Sequence, residues 1–437
     1  MISVCDAIMG SGKTSAAVNM ILETPHRKFI YVTPYKTGCE SIVGRCAGVG
    51  FKWPTNDGKR SKDRTVLSRD VANWIAEGES IVMTHELFTH IGEVSYGDIK
   101  RHGYTLILDE VVNPIEKAVV SKEMVELMWR AGDVDNIGNC IYEVAKPYSQ
   151  ELYNGLFGRS DYSRAGRLLL DMHKGGIEEA KHHDYYWIIN PGLFRSFADT
   201  YVLTYLFDGS DLCWHFKTFD LKYRFVSVVK ETGAGYSGVA YRFDATGRQN
   251  SMPEYMSRLG ELVHVDDNKR RGRLGSGDSD LSVSWYERIK KKGDTAALRQ
   301  LGNNIRSFLV SVCGADKTSR LLWTTFTDYL DDVQAACNGY GKNSFLAFNT
   351  KETNAYAQKD VLAFCCNIFL NPWQARYFER CEHQIDEEKR ALSIMLQWIW
   401  RSAIRNGKEI WVYVPSKRMR SLLVNWIEEV EAAVRAA

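Results

Sequence analysis

Eight residues near the start of the chain, Ala7-Ile8-Met9-Gly10-Ser11-Gly12-Lys13-Thr14, restrict what it can fold into more than any other stretch. They follow the strand-like run Ile2-Ser3-Val4-Cys5 and precede Ser15 to Leu22, which reads as a helix. Glycines let a backbone fold back so that its N–H groups point inward, a lysine reaches terminal phosphates, and a threonine hydroxyl ligates Mg²⁺. Gly10, Ser11, Gly12, Lys13, Thr14 and Ser15 are therefore expected to hold a nucleoside triphosphate, with the positive end of the helix facing the same anion. Chance supplies about 0.03 such matches in a chain of this length, before the flanking strand and helix are required. Ala7 stands where the pattern has glycine, a position that takes a small side chain.

Strand, phosphate loop and helix open a parallel sheet with crossover helices, and the chain keeps that rhythm. Lys28 to Pro34 reads as a strand, Lys36 to Cys46 as a helix, and Ser80 to Met83 as a strand running into Thr84-His85. Tyr104 to Leu108 is a buried-strand pattern ending in Asp109-Glu110. Roughly ninety residues after a phosphate loop, that ending is the expected second half of a nucleotide site. Asp109 suits the Mg²⁺ shell, and Glu110 suits a water attacking the terminal phosphate in line. Residues 113–198 read as mainly helical, an insertion carrying Arg159, Arg164 and Arg167, and the sheet resumes at Tyr201 to Phe207.

The pattern shifts between Asp208 and Leu221, which divides the chain into 1–215 and 216–437. An accessory segment, 224–312, holds shorter strands such as Arg224 to Val229, the basic run Lys269-Arg270-Arg271-Gly272-Arg273, and helices from Trp285 to Val312. Alternation then returns, with strands at 320–326, 344–348 and 409–414 and helices at 329–337, 359–369, 391–405 and 417–435. This half has no phosphate loop. Gln397, Arg401 and Arg405 recur every four residues, so on a helix they form one stripe. Such a stripe is either a solvated face or a set of arginines offered to a γ-phosphate held by the other half.

With a net charge of +2, a nucleic-acid partner would be met by local basic patches and not by a global field. No apolar run reaches membrane-spanning length and no charged-then-apolar leader precedes the first strand, so a cytoplasmic protein without a membrane partner is expected. Ten cysteines without a C-x-x-C pair favour reduced, buried thiols over zinc or disulfides. His182-His183 lacks the further ligands of a metal site.

In this order the motifs resemble those of the superfamily two helicases, particularly the DEAD/DEAH-like helicases encoded by bacteriophages, over nearly the whole chain. Ala7 to Thr14 is similar to motif I, Thr33-Pro34-Tyr35-Lys36 to motif Ia, and Thr84-His85 to the strand-contacting motif that follows. Asp109-Glu110-Val111-Val112 resembles the DEAD/DEAH box, and Leu203-Thr204-Tyr205 occupies the place of the Ser-Ala-Thr motif. Trp323 to Phe326 looks like motif IV, Asn349 to Asn354 like motif V, and Gln397 to Arg405 like the Q-x-x-x-R motif VI. Val111-Val112 departs from the family's Ala-Asp or Ala-His pair, Thr204-Tyr205 from its Ala-Thr, and Arg405 lies one position later than the family's second arginine. Base selectivity is expected to be encoded elsewhere than in a motif ahead of the first strand.

The resemblance implies an α/β fold of two RecA-like parallel-sheet lobes, with an inserted helical segment in the first. It implies ATP and Mg²⁺ as cofactors and an ATP-dependent helicase or translocase of phage replication, recombination or repair in the host cytoplasm. Its partner would be nucleic acid, DNA rather than RNA, as a single strand or a duplex with a single-stranded end. Lys13, Glu110, Gln397, Arg401 and Arg405 would then be catalytic, and Thr14 and Asp109 would hold the metal. Thr33, Lys36, Thr84, His85, Thr325, Thr350 and Asn354 would contact the strand, since hydroxyls and amides at strand ends suit phosphate oxygens. Two other classes stay open. One is a DNA-packaging or nuclease-coupled ATPase, for which Asp328, Asp331 and Asp332 are close in sequence but sit in a helical stretch. The other is a nucleotide-dependent scaffold without motor activity.

Overall fold

In the computed structural model, residues 1–54, 64–118, 135–137, 141–143, 177–179, 185–231, 240–336, 344–350, 355–380 and 385–436 are described. Contacts group the chain into two units, the first made of Met1–Ala7, Gly12–Asn250 and Asn371–Ile385. The second comprises Ile8–Ser11, Ser251–Leu370 and Asp386–Ala437.

Unit 1 is built on β1 (Ile2–Asp6), β2 (Phe29–Thr33), β3 (Ile81–Thr84) and β4 (Thr105–Asp109). A smaller group follows, β5 (Ile115–Ala118), β6 (Asp135–Ile137), β7 (Ile141–Glu143), β8 (Ile177–Glu179) and β9 (Tyr185–Ile188). Two further strands, β10 (Asp199–Thr204) and β11 (Tyr223–Phe225), return to the main sheet. Its order is β11-β1-β10-β4-β2-β3, with every pairing parallel. One strand therefore separates the phosphate-loop strand from the strand that ends in Asp109.

The sequence patterns explain this arrangement. Leu106, Ile107 and Leu108 are fully buried, as a central parallel strand covered on both faces requires, and each such side chain stabilises by about 2 kcal/mol. Helix α1 (Lys13–Glu23) docks Ala16, Ala17, Val18 and Ile21 into a core with Cys5, Tyr31, Ile107 and Leu203, which fixes the loop before it to the sheet. The hairpin of β12 (Ser227–Glu231) and β13 (Ala240–Asp244) also belongs to this unit.

The expectation of a mainly helical segment at 113–198 is corrected over its described residues. Strands β5 to β9 form an antiparallel sheet in the order β5-β9-β8-β7-β6, and Pro191–Ser196 is a short helix. Tyr185-Tyr186-Trp187-Ile188 is an aromatic and β-branched run, which packs better on a pleated surface than on a helix. Arg159, Arg164, Arg167 and His182-His183 lie outside the described residues.

Unit 2 carries the second parallel sheet, from β14 (Val263–Val265), β15 (Leu321–Thr324), β16 (Val361–Phe364) and β17 (Ile410–Tyr413), in the order β14-β17-β16-β15. Two parallel α/β sheets are thus present, as the chain's rhythm implied. Three local expectations change. The apolar run at 359–369 forms β16 (Val361–Phe364) and not a helix: all four of its residues are fully buried, as in a parallel strand whose two faces are covered by crossover helices, so it loses the period-two alternation. The strand expected at 344–348 reduces to one bridge, Trp323 to Phe345.

The helix expected at 391–405 begins earlier and stops at Ile399. Ser402 there is extended, its hydroxyl donates to the Ile399 carbonyl (2.6 Å), and the Ala403 amide turns to Lys359 O (2.8 Å). Arg401 therefore lies in a turn and Arg405 in a separate 3₁₀ turn, Ala403–Asn406, so the two do not share one helical stripe with Gln397. Among the described residues no helix is long and apolar enough to cross a membrane.

Candidate functional site

The carboxyl ends of β1, β10 and β4 lie side by side, and β10 ties the other two. The Ala7 amide donates to Thr204 O (3.0 Å) and the Glu110 amide to Leu203 O (2.9 Å), so the root of the phosphate loop and the acid pair hang on successive carbonyls. The Asp6 carboxylate accepts from the amides of Leu206 (2.7 Å) and Phe207 (3.0 Å), holding the turn that follows β10. Burial raises the Asp6 carboxyl above its ordinary value, and those two amides pull it back.

Within the loop, the Ser11 amide donates to Ile8 O (3.3 Å), and the Ala16 amide to Gly12 O (2.9 Å) opens α1. Gly12 has φ 95 and ψ 12, the left-handed region that a glycine enters without cost. Lys13 donates its ammonium to the Ala7 carbonyl. Burial lowers the pKa of Lys13, against the pull of Cys5, Asp109, Asp6 and Glu110.

Thr14 and Asp109 meet although 95 residues separate them: the Thr14 hydroxyl donates to Asp109 Oδ2 at 3.2 Å and lies 3.4 Å from Oδ1. Tyr31 donates its hydroxyl to Asp109 Oδ2 (2.7 Å), and His85 Nε2 is 3.0 Å from the Asp109 carbonyl. Burial raises the Asp109 pKa, the Tyr31 hydrogen bond lowers it, and the neighbouring Glu110 raises it again. Glu110 itself takes a positive φ of 69, rare for a side chain of its size and a form of strain that gathers at working sites. The Thr14 hydroxyl and the Asp109 carboxylate are hard oxygen donors that fit Mg²⁺, and the Lys13 ammonium at the start of α1 fits phosphate.

The remaining expected residues are more dispersed. Ser11 is buried, and Ser15 accepts a hydrogen bond from Arg45 (3.2 Å). Thr33 is buried at the end of β2, and Lys36 is exposed at the start of α2 (Lys36–Arg45). Thr84 accepts from the Leu87 amide (3.4 Å), and His85 turns toward the Asp109 backbone. Thr325 is fully buried, Thr350 is partly buried with its amide on Ala347 O (2.9 Å), and Asn354 lies outside the described residues. Gln397, half-buried, and Arg401 and Arg405 belong to unit 2, where Arg401 is buried and Arg405 exposed.

Two site residues escaped the sequence reading. Tyr31 sits in an apolar strand where an aromatic reads as core. Asp6 carries the same signal as Asp109, an acid closing a buried strand, but the adjacent loop pattern masked it. In unit 2 a cavity of about 230 Å³ opens at the carboxyl ends of β14 and β17, lined in part by Lys269, Arg273 and Arg420. Arg271, from the same basic run, is spent on a two-point pair with Asp266 (2.9 and 2.5 Å).

A G-x-G-K-T loop after β1, an Asp-Glu pair closing β4 and a second parallel sheet define an α/β protein with two parallel-sheet units. The profile of the YonV C-terminal Rossmann-like domain matches residues 257–427. The SPbeta prophage-derived uncharacterized protein YonV of Bacillus subtilis is 31% identical over 433 residues, covering 98% of each chain. The chain belongs to the family of that prophage protein. Among solved structures, Xpd4 of S. tokodaii is similar with a TM-score of 0.49 and 13% identity, over 98% of this chain and 94% of that one. An XPD helicase gives a TM-score of 0.40 and 12% identity over the same shares.

Proposed function

We propose that the chain is an ATP-dependent, Mg²⁺-requiring nucleic-acid motor, a helicase or translocase acting on phage DNA. The observation that carries the nucleotide half of this reading is the meeting of Thr14 with Asp109, beside Lys13 and Glu110, at the carboxyl edge of one sheet. Thr14 and Asp109 would hold the metal, which neutralises charge on the bound triphosphate. Loop amides and Lys13 bind and orient the phosphates, Tyr31 holds the Asp109 carboxylate in place, and Glu110 takes the proton of the attacking water.

The motor half is supported by a second unit with a parallel sheet and no phosphate-loop pattern in its sequence, in which Arg401 and Arg405 lie in the turns after the helix Glu387–Ile399. Arginines of this kind stabilise charge on a transferring phosphoryl group. At the unit 2 cavity Lys269, Arg273 and Arg420, beside Asp266 and Asp267, offer cations to the backbone of a single strand.

Steady-state ATPase with and without single-stranded DNA, duplex DNA and RNA tests the reading. The expected result is Mg²⁺-dependent turnover stimulated by single-stranded DNA, with a nucleic-acid KM that rises with salt. Turnover indifferent to nucleic acid would instead identify a switch or scaffold, and no turnover at all would remove the enzyme reading.

A further inference from the structure

The hairpin of β12 and β13 is fastened along the helix that follows the phosphate loop. Asn19 of α1 donates its side-chain amide to Tyr241 O (3.0 Å), and Arg242 pairs with Glu23 on α1 (2.8 Å) and Glu231 across the hairpin (3.1 Å). Phe243 stacks on Tyr201 of β10 with ring centroids 5.1 Å apart. Asn250 adds a tie to the strand beneath: its amide donates to Asp6 O (2.9 Å) and its carbonyl oxygen accepts from the Val228 amide (2.9 Å).

So anchored, the hairpin lays the Tyr241 ring on Gly12. A Cβ built on this glycine would stand 2.2 Å from the ring's Cδ1 and 2.4 Å from its Cε1. Gly12 is the left-handed joint between loop and helix, where the loop amides take their aim. A bare glycine there is free to leave that conformation, since it populates both signs of φ with similar ease. The ring fills the space where a side chain at position 12 would stand and packs directly on this joint.

We propose that Tyr241 is a positioning residue for the polyphosphate of the bound nucleotide, acting through Gly12. The proposal rests on the nucleotide reading of the loop. The contact is made by the ring, so the phenol hydroxyl is dispensable. The effect is expected on the phosphates and not on the base, because what the joint presents is backbone amides.

The test is calorimetric titration of the full chain with Mg²⁺-ATP and with Mg²⁺-tripolyphosphate, which has phosphates and no nucleoside. Tyr241→Ala should weaken both ligands by the same factor, about fivefold to tenfold, and Tyr241→Phe should stay within about twofold of the parent. Without ligand, Tyr241→Ala should also speed amide exchange from Gly12 to Asn19. Weakened ATP with unchanged tripolyphosphate would overturn the proposal by placing the ring against the nucleoside, and unchanged binding or unchanged exchange would overturn it as a whole. If the parent binds both ligands and Lys13→Ala abolishes this, a silent Tyr241→Ala sinks the positioning role alone. A parent that binds neither sinks the nucleotide reading and the proposal with it. Should Tyr241→Ala lose its cooperative melting, Tyr241→Leu carries the same comparison, with a smaller loss of the same pattern.

Discussion

Glu110 takes a left-handed backbone at the end of a buried strand, with its amide fixed to Leu203 O (2.9 Å). That bond fixes the acid's backbone to β10, and Gln keeps the size and shape of the side chain. Glu110→Gln should keep ATP affinity and lose about 10²- to 10⁴-fold in turnover, read by comparing nucleotide titration with steady-state hydrolysis. Full activity in this variant would remove Glu110 from the proton step. Tyr31 works one bond further out, on the Asp109 carboxylate (2.7 Å). Tyr31→Phe removes only the hydroxyl, and it should raise the Mg²⁺ needed for half-maximal turnover by about tenfold while the melting temperature stays close to the parent's. A change in melting without a change in Mg²⁺ demand would make Tyr31 a packing residue.

At the level of elements, the end of the helix Glu387–Ile399 decides where the arginines go. The Ser402 hydroxyl takes the Ile399 carbonyl (2.6 Å), the Ala403 amide leaves for Lys359 O (2.8 Å), and the four-residue spacing from Gln397 ceases to be a helical register. Trp400, between them, donates its indole N–H to the Tyr255 hydroxyl (3.3 Å), which holds the turn in unit 2. Arg401→Ala should spare nucleotide binding and slow hydrolysis by about 10³-fold. A loss confined to nucleic-acid affinity would make Arg401 a backbone contact. The same lesson holds for β16. Val361 to Phe364 is apolar at every position, and only its neighbours β15 and β17 distinguish a strand covered on both faces from a buried helix.

At the scale of the whole molecule, the first unit carries a titration that should set its acid limit. His215, on the helix Asp211–Thr218, is buried against Phe194, Phe216 and Phe219. Burial, with Arg195 adding to it, lowers its pKa from 6.5 to about 3. The unfolded chain therefore takes up this proton first. The neutral ring's contribution is full above pH 6.5 and is lost as pH falls toward 3, by about 1.4 kcal/mol per pH unit. Denaturant unfolding between about pH 7 and about pH 4 should show that decline, and His215→Phe should flatten it. An unchanged slope would place the acid sensitivity elsewhere. By itself the sequence determined that a G-x-G-K-T loop follows the first strand, that an acid pair closes a buried strand and that the alternation demands parallel sheets, because each is a local pattern that its own residues satisfy. Tertiary structure alone decided that Tyr31 serves Asp109, that Asp6 holds the turn after β10, that β5 to β9 form a sheet and that Tyr241 covers Gly12. Each of these joins residues distant in the chain, and pairing across such distances follows from which surfaces are buried together and not from any local period.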